Sequence, residues 1–156
     1  MPSERGLRSV LAPVNGGAGD ERLLEMISRI CEARNARITL VYVVEVPQAM
    51  PIDAELPQQI ARGEDVLLAA EWRLKELIGG RQHPGIMTEL LQARTAGAAI
   101  VDEAIEQQAD AIVMATENRL ERGKISVGES VPYVLRHAPC EVIVIRTAPP
   151  GPDEEE

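Results

Sequence analysis

Between Thr116 and Ser130 the chain reads TENRLERGKISVGES, and this stretch gathers the residue types best suited to hold an anion. Gly123 and Gly128 permit positive φ and let backbone approach a ligand closely. Lys124 brings a positive charge, and Ser126 and Ser130 bring hydroxyls. Pro132 fits a helix only in its first turn, so a helix is expected to start near Gly128 to Ser130. Its free N–H groups and its dipole would then face the loop, which is how phosphate is commonly bound. The same residues also suit a plain loop that ends in a Ser or Gly cap. From the residues alone both readings stand.

Bond-making chemistry finds less support. No nucleophile stands with a base at a recognisable spacing, and there is no Gly-x-Ser-x-Gly elbow. Gly123-Lys124 is followed by Ile125, which breaks a Walker-type loop. His137 sits near a helix end, where a cation is favoured by the dipole, and His83 lies in RQHPG without a partner in sequence. These two His and the distant Cys31 and Cys140 follow no metal spacing. The acidic pairs Glu64-Asp65 and Asp102-Glu103 read as solvated helix faces. No catalytic residue and no metal site are therefore expected.

Composition narrows the partners. The 156 residues suffice for one domain with a sizeable core. Phe is absent, and Trp72, Tyr42 and Tyr133 are the whole aromatic set, so the core must be aliphatic. That scarcity also argues against single-stranded nucleic acid, which is bound by aromatic stacking. The formal net charge of −9, with Asp153, Glu154, Glu155 and Glu156 in the tail, disfavours nucleic-acid backbones and anionic lipid. No apolar run approaches the roughly 20 residues of a membrane span. MPSERGLRSV lacks the apolar core of a signal peptide. A reduced, cytoplasmic protein with no membrane insertion is expected.

Elements must position the loop. Val10–Val14, Ile38–Val44, Ala111–Ala115 and Val142–Ile145 are apolar without alternation, the pattern of strands buried on both faces. Ile86–Gln92 is interrupted by Thr88, Glu89 and Gln92, which suits a sheet edge. Helical spacing follows Asp20, an expected N-cap, through Leu23, Ile27 and Ile30. It recurs after Pro57 through Ile60, Gly63, Leu67, Ala70, Leu74 and Leu77 up to Gly79-Gly80, leaving Trp72 off the stripe. Gly97 to Gln108 places Ile100, Val101, Ala104 and Ile105 inward, and a last helix does so with Val131, Val134, Leu135 and Ala138. Five strands alternating with four helices give an α/β fold with a parallel sheet covered on both faces. Ligands in such folds sit at the C-terminal ends of the strands. The loop Asn15–Gly19 and the loop after Thr116 meet there if the first and fourth strands are neighbours.

The residues now carry a resemblance. RSVLAPVNGG, TLVYVVEVP, and ADAIVMA followed by VPYVLRHAPCEVIVIR resemble the successive elements of a universal stress protein domain, over about Arg8 to Arg146. The resemblance implies a Rossmann-like (adenine nucleotide alpha-hydrolase-like) open sheet of five parallel strands in the order 3-2-1-4-5. One domain, 8–147, is expected after a lead at 1–7, and the Pro-rich acidic tail at 148–156 is expected to be disordered. Nucleotide-binding members carry Gly, two residues, Gly, nine residues, Gly, then Ser or Thr. Here Ala115 stands at the first Gly, Asn118 at the second, Gly128 at the third and Glu129 at the Ser/Thr position. Asn15 stands where the family has Asp. With Pro13, Val43, Gly123, Lys124 and Ser130 these residues form a variant or vestigial nucleotide site.

The departures can be weighed. Ala115 adds a methyl where backbone meets ligand. Asn118 tolerates left-handed φ better than most residues. Glu129 matters most, because a carboxylate 4 Å from a phosphate charge costs about 1 kcal/mol in water and more at low dielectric. It would instead suit an empty helix N-terminus. The expected function is a stress-response binding module with weak or lost ATP binding, no turnover and no obligatory cofactor. The alternatives are a functional ATP or AMP binder and, less favoured, a slow nucleotide hydrolase. Val142, Ile143, Val144 and Ile145 form a last strand that is apolar on both faces. The resemblance implies a homodimer through it; the bland alternative is an edge covered by the chain from Thr147 onward.

Overall fold

Strands form where β-branched and aliphatic residues are densest. The computed structural model describes residues 7–31, 36–79, 85–116, 119–121, 124–126 and 130–146. In chain order these make β1 (Ser9–Pro13), α1 (Gly19–Ile30), β2 (Arg37–Glu45), α2 (Pro57–Ile78), β3 (Ile86–Ala93) and α3 (Ala96–Glu106). There follow β4 (Ala111–Thr116), β5 (Arg119–Glu121), β6 (Lys124–Ser126), α4 (Ser130–His137) and β7 (Glu141–Arg146). Five of the strands form one parallel sheet, β3-β2-β1-β4-β7, which is the 3-2-1-4-5 order with β7 as the fifth strand. β3 and β7 are its two edges.

Side chains alternate between the faces of a strand, so each strand feeds two cores. Val10, Ala12, Ile38, Leu40 and Val113 pack with Leu23 and Ile27 of α1 and Leu67 and Leu74 of α2. Leu11, Val41, Ile112 and Met114 pack on the other face with Ile100, Val101 and Ala104 of α3 and Val131 and Val134 of α4. Leu11, Leu23, Ile38, Leu40, Leu74 and Ile112 are wholly enclosed, each worth about 1.5–3 kcal/mol of apolar burial. Cys31 is a small member of the first core. Trp72 is 63% exposed, off the buried stripe of α2 as its position predicts.

The pairing of β1 with β4 is reinforced at their starts by one acid. The N–H of Asp110 donates to the Ser9 carbonyl at 2.8 Å, and its carboxylate accepts the N–H groups of Arg8 and Ser9 at 2.8 and 3.0 Å. At the far end of β1, Pro13 has no N–H to give, and the ladder resumes when Val14 donates to Val41 at 2.8 Å. The first contact ties the starts of β1 and β4 together, and the second joins the end of β1 to β2.

Four expectations are corrected. The stretch after Thr116 is not all loop: β5 and β6 pair antiparallel, with Leu120 opposite Ile125. The polar-apolar-polar triplets Arg119–Glu121 and Lys124–Ser126 around Gly123 are a hairpin pattern. In α3, Ile105 is 56% exposed rather than inward, because the buried arc leans toward Ala99 and Glu103. Glu103 is accordingly buried, not part of a solvated face. In α4 the buried residues are Val131 and Val134, and Leu135 faces outward.

Candidate functional site

The C-terminal ends of β1 and β4 lie next to each other, so the segment after Pro13 and the segment after Thr116 open from the same end of the sheet. Val43 belongs to that end of β2, half-buried against the α3 and α4 core. Ala115, opposite Ile145 of β7, packs against the α1 and α2 core. Lys124 starts β6, and Ser130 starts α4. Asn118, Gly123, Gly128 and Glu129 lie outside the described residues, as does the tail at 148–156.

The turn after β1 is closed on itself. Gly16 has φ +81°, a conformation that L side chains rarely adopt. Asn15 accepts the Gly17 N–H on its Oδ1 at 2.7 Å, an Asx turn. The expected N-cap, Asp20, is not at the cap position. α1 starts at Gly19 after Ala18, which makes no side-chain cap. Asp20 sits in the first turn, and its carboxylate reaches back to accept the N–H groups of Asn15 at 3.2 Å and Gly16 at 2.8 Å. An acid in that place is favoured by the helix dipole. Three backbone donors of the loop thus have partners within the loop and helix.

Other elements crowd the same end. α2 lies over the turn: a Cβ built on Gly16 would meet Val66 Cγ2 at 2.9 Å and the Arg62 guanidinium at 3.4 Å. The connector after β2 is fastened by two β3-end side chains. Arg94 Nη1 donates to the carbonyls of Pro47 at 2.5 Å and Met50 at 2.7 Å. Gln92 Nε2 donates to those of Ile52 and Ala54 at 3.2 and 3.1 Å. Sequence gave no sign of this clamp, since Gln92 reads only as a polar interruption.

Thr116, the last residue of β4, was also missed. It is 4% exposed, and among the described residues its hydroxyl has no hydrogen-bond partner. By alternation it shares the face of Ile112 and Met114, on the side of α4. A buried hydroxyl left unpaired costs roughly 1–3 kcal/mol. Behind it, α4 is held to α3 where Gly97 meets Tyr133: an added Cβ would lie 3.0 Å from Tyr133. Tyr133 and His137 stack with ring centroids 4.3 Å apart, which places His137 at the C-terminal end of α4.

Among the described residues no three His, Cys, Asp or Glu side chains form a group fit for a metal ion. No helix among them is long and apolar enough to cross a membrane.

Comparison with known proteins agrees with this architecture. A search of curated proteins finds no match. A universal stress protein structure from Archaeoglobus fulgidus is 22% identical, with a TM-score of 0.70, covering 89% of this chain and 98% of that one. A structure of the protein from the same organism in complex with dAMP is 21% identical, with a TM-score of 0.66 and coverage of 89% and 97%. A family protein from Arabidopsis thaliana with AMP bound is 18% identical, with a TM-score of 0.59 and coverage of 96% and 95%. At these identities the structures speak for the fold. The sequence profile of the universal stress protein family matches residues 6–146, nearly the whole chain and every element of the sheet. The chain belongs to the universal stress protein family.

Proposed function

We propose that this chain is a dimeric, cytoplasmic stress-response module that binds an adenine nucleotide weakly and does not turn it over. The observation that carries the reading is that β1 and β4 are neighbours in the sheet, with the buried Thr116 hydroxyl at the end of β4 lacking a partner among the described residues. The AMP and dAMP held by the two structures named above identify the ligand class to try first. The weakness has three sources. Asp20 already occupies the N–H groups of Asn15 and Gly16. Asn15 commits its Oδ1 to Gly17, where a family Asp would offer a full carboxylate to a hydroxyl. Glu129 places an acid just before α4, where phosphate oxygens would otherwise collect.

The single domain at 8–147 contains all of these parts. Its outer strand β7 supplies the pairing edge, with Val142 and Val144 on one core and Ile143 and Ile145 on the other, all half-buried.

Mass spectrometry of the purified protein after denaturation tests occupancy, and calorimetric titration with AMP and ATP tests affinity. Little or no retained nucleotide is expected from the parent. Glu129→Ser should tighten ATP binding by roughly tenfold, the factor that 1.4 kcal/mol provides. Retained stoichiometric nucleotide in the parent would instead establish the second reading, a full-strength nucleotide binder in which Gly123, Lys124 and Ser130 replace the lost motif residues. Steady release of ADP from ATP would sink the assignment as a non-enzyme.

A further inference from the structure

The outer face of α2 carries two large apolar side chains. The helix buries Gly63, Leu67, Ala70, Leu74 and Ile78. Leu68 is 55% exposed and Trp72 is 63% exposed. Each residue advances a helix by about 100°, so Leu68 and Trp72, four apart, stand one above the other on the side away from the buried stripe. Single apolar residues scattered on a surface are ordinary. A Leu and the chain's only Trp one turn apart make a ridge.

The ridge runs between acids. Glu64 and Glu71 stand on one side of it, Asp65 and Glu76 on the other, each three or four residues from Leu68 or Trp72. Glu64, Asp65 and Glu76 are exposed, and Glu71 is partly so. The bases of α2 do not balance them. Arg62 lies over the Gly16 turn. Arg73 turns to Glu21 of α1 at 2.6 Å, with Glu76 at 3.4 Å. Lys75 stands at the end of the ridge, 3.7 Å from Glu71. Among the described residues Glu64 and Asp65 form no ion pair.

That charge pattern selects the occupant. A second copy laid on this face would set acids against acids, and like charges facing each other across an interface suppress the pairing. Anionic lipid and nucleic acid are repelled for the same reason. A helix whose apolar stripe is flanked by Lys and Arg matches the ridge and both acidic borders at once. We propose that the outer face of α2 docks a basic amphipathic helix of another protein, with Trp72 as its anchor and Leu68 beside it. Trp is among the residues that most often dominate binding energy at an interface. One ridge on one helix is a small surface, so the complex belongs to the weak, transient class. The docking face stands apart from the nucleotide reading and does not depend on it.

The test titrates a synthetic peptide into the full chain. The peptide is a helix-former of about 18 residues with Leu at i, i+3, i+4 and i+7 spacing, Lys and Arg on the flanking positions, and no aromatic residue. One control has the same composition shuffled so that Leu is spread around the helix. The other has Glu in place of Lys and Arg. Trp72 is the chain's only Trp, so its emission reports this face directly. The basic peptide should move the emission to the blue, with a Kd on the order of 10 μM. Affinity should fall by about tenfold between roughly 0.05 and 0.5 M salt. Leu68→Lys should weaken binding by about tenfold, and Glu64→Gln combined with Asp65→Asn should weaken it and flatten the salt dependence.

No shift at about 1 mM basic peptide overturns the proposal. So does an equal response to either control peptide, or undiminished binding by Leu68→Lys. Emission that is blue in the parent alone and moves to the red on dilution assigns the face to a second copy. A larger shift with phosphatidylserine vesicles than with the peptide assigns it to a membrane. Either result also overturns the proposal. The Glu64→Gln, Asp65→Asn chain decides the matter if Leu68→Lys fails to fold.

Discussion

The carboxylate of Asp20 accepts the backbone N–H of Gly16 at 2.8 Å, so the first turn of α1 supplies an anion to the loop that precedes it. That contact does two things at once. It holds the tight turn after β1, and it occupies donors that a ligand would need. Asp20→Ala should therefore separate stability from binding. Loss of a first-turn side chain that satisfies backbone donors costs about 1 kcal/mol. Urea denaturation should show that loss, while titration with inorganic phosphate should show stronger anion binding than in the parent. Unchanged stability would mean that the turn is held by Asn15 and the packing of Val66 alone.

Gly63 of α2 gives a case where two effects oppose. Replacing a mid-helix Gly by Ala ordinarily gains about 1 kcal/mol of helix propensity. At this position the new methyl would lie 2.6 Å from Tyr42 Cδ1 and 2.8 Å from Leu90 Cδ1. Such contacts force neighbours to shift, and overpacking of this kind costs typically about 1–3 kcal/mol. Tyr42 and Leu90 are side chains of adjacent strands β2 and β3, so neither retreats freely. Gly63→Ala should lower the thermal midpoint, and calorimetry that found a rise would show that the two rings of contact yield easily.

How far the sequence carried these conclusions depends on the kind of interaction. Both cores were legible, because runs such as Ile38–Val44 have no polar face and must be buried on both sides, whereas the sheet order came with the family resemblance. The edge position of β3 was legible because Thr88, Glu89 and Gln92 interrupt its apolar residues. The hydrogen bonds that join Thr39 to Gln107 and Gln107 to Glu103 were not, because Thr39 of β2 meets the end of α3 only through packing, across a separation that no local pattern reveals. Asp20 was read as a cap from its residue type, but cap geometry depends on backbone angles one residue earlier. Ile105 and Leu135 were misplaced because a short helix has few turns to fix its phase, and one step of 100° turns a marginal residue outward. Glu129 could be placed in the family pattern by counting, yet its consequence for a ligand rests on charge rather than on any contact seen among the described residues.

The two thiols should differ in reactivity. Cys31 is 3% exposed, and burial pushes its thiol up to about 11 from an ordinary 9.0. Two units of displacement reduce its thiolate by about a hundredfold at a given pH, before access is considered. Cys140 is half-buried and is raised too, first by burial and then by the charge of Asp110. Pulsed alkylation of the native protein near neutral pH, read by peptide mass spectrometry, should modify Cys140 well before Cys31. Denaturant should bring the two rates together. Equal native rates would show that the end of α1 opens far more readily than its packing against Leu23, Leu24 and Ile27 implies.

The outer edge of β7 provides the last prediction. Its inner side pairs with β4 from Ala111 opposite Glu141 to Thr116 opposite Arg146, and among the described residues no strand pairs with its outer side. An apolar strand with free backbone donors and acceptors is a template for another copy. Sedimentation should find the parent chain dimeric. Val144→Lys should weaken the dimer on the order of a hundredfold, about 2.8 kcal/mol of binding free energy at ten-fold per 1.4. The half-buried position lets the lysine stem lie along the strand with its ammonium in water, so far-UV circular dichroism should be retained. The competing arrangement, in which the chain beyond Thr147 covers this edge, makes the opposite forecast. In that case the parent is monomeric, and truncation after Thr147 causes it to associate. A truncated chain that is dimeric to the same degree as the parent leaves β7 itself as the interface.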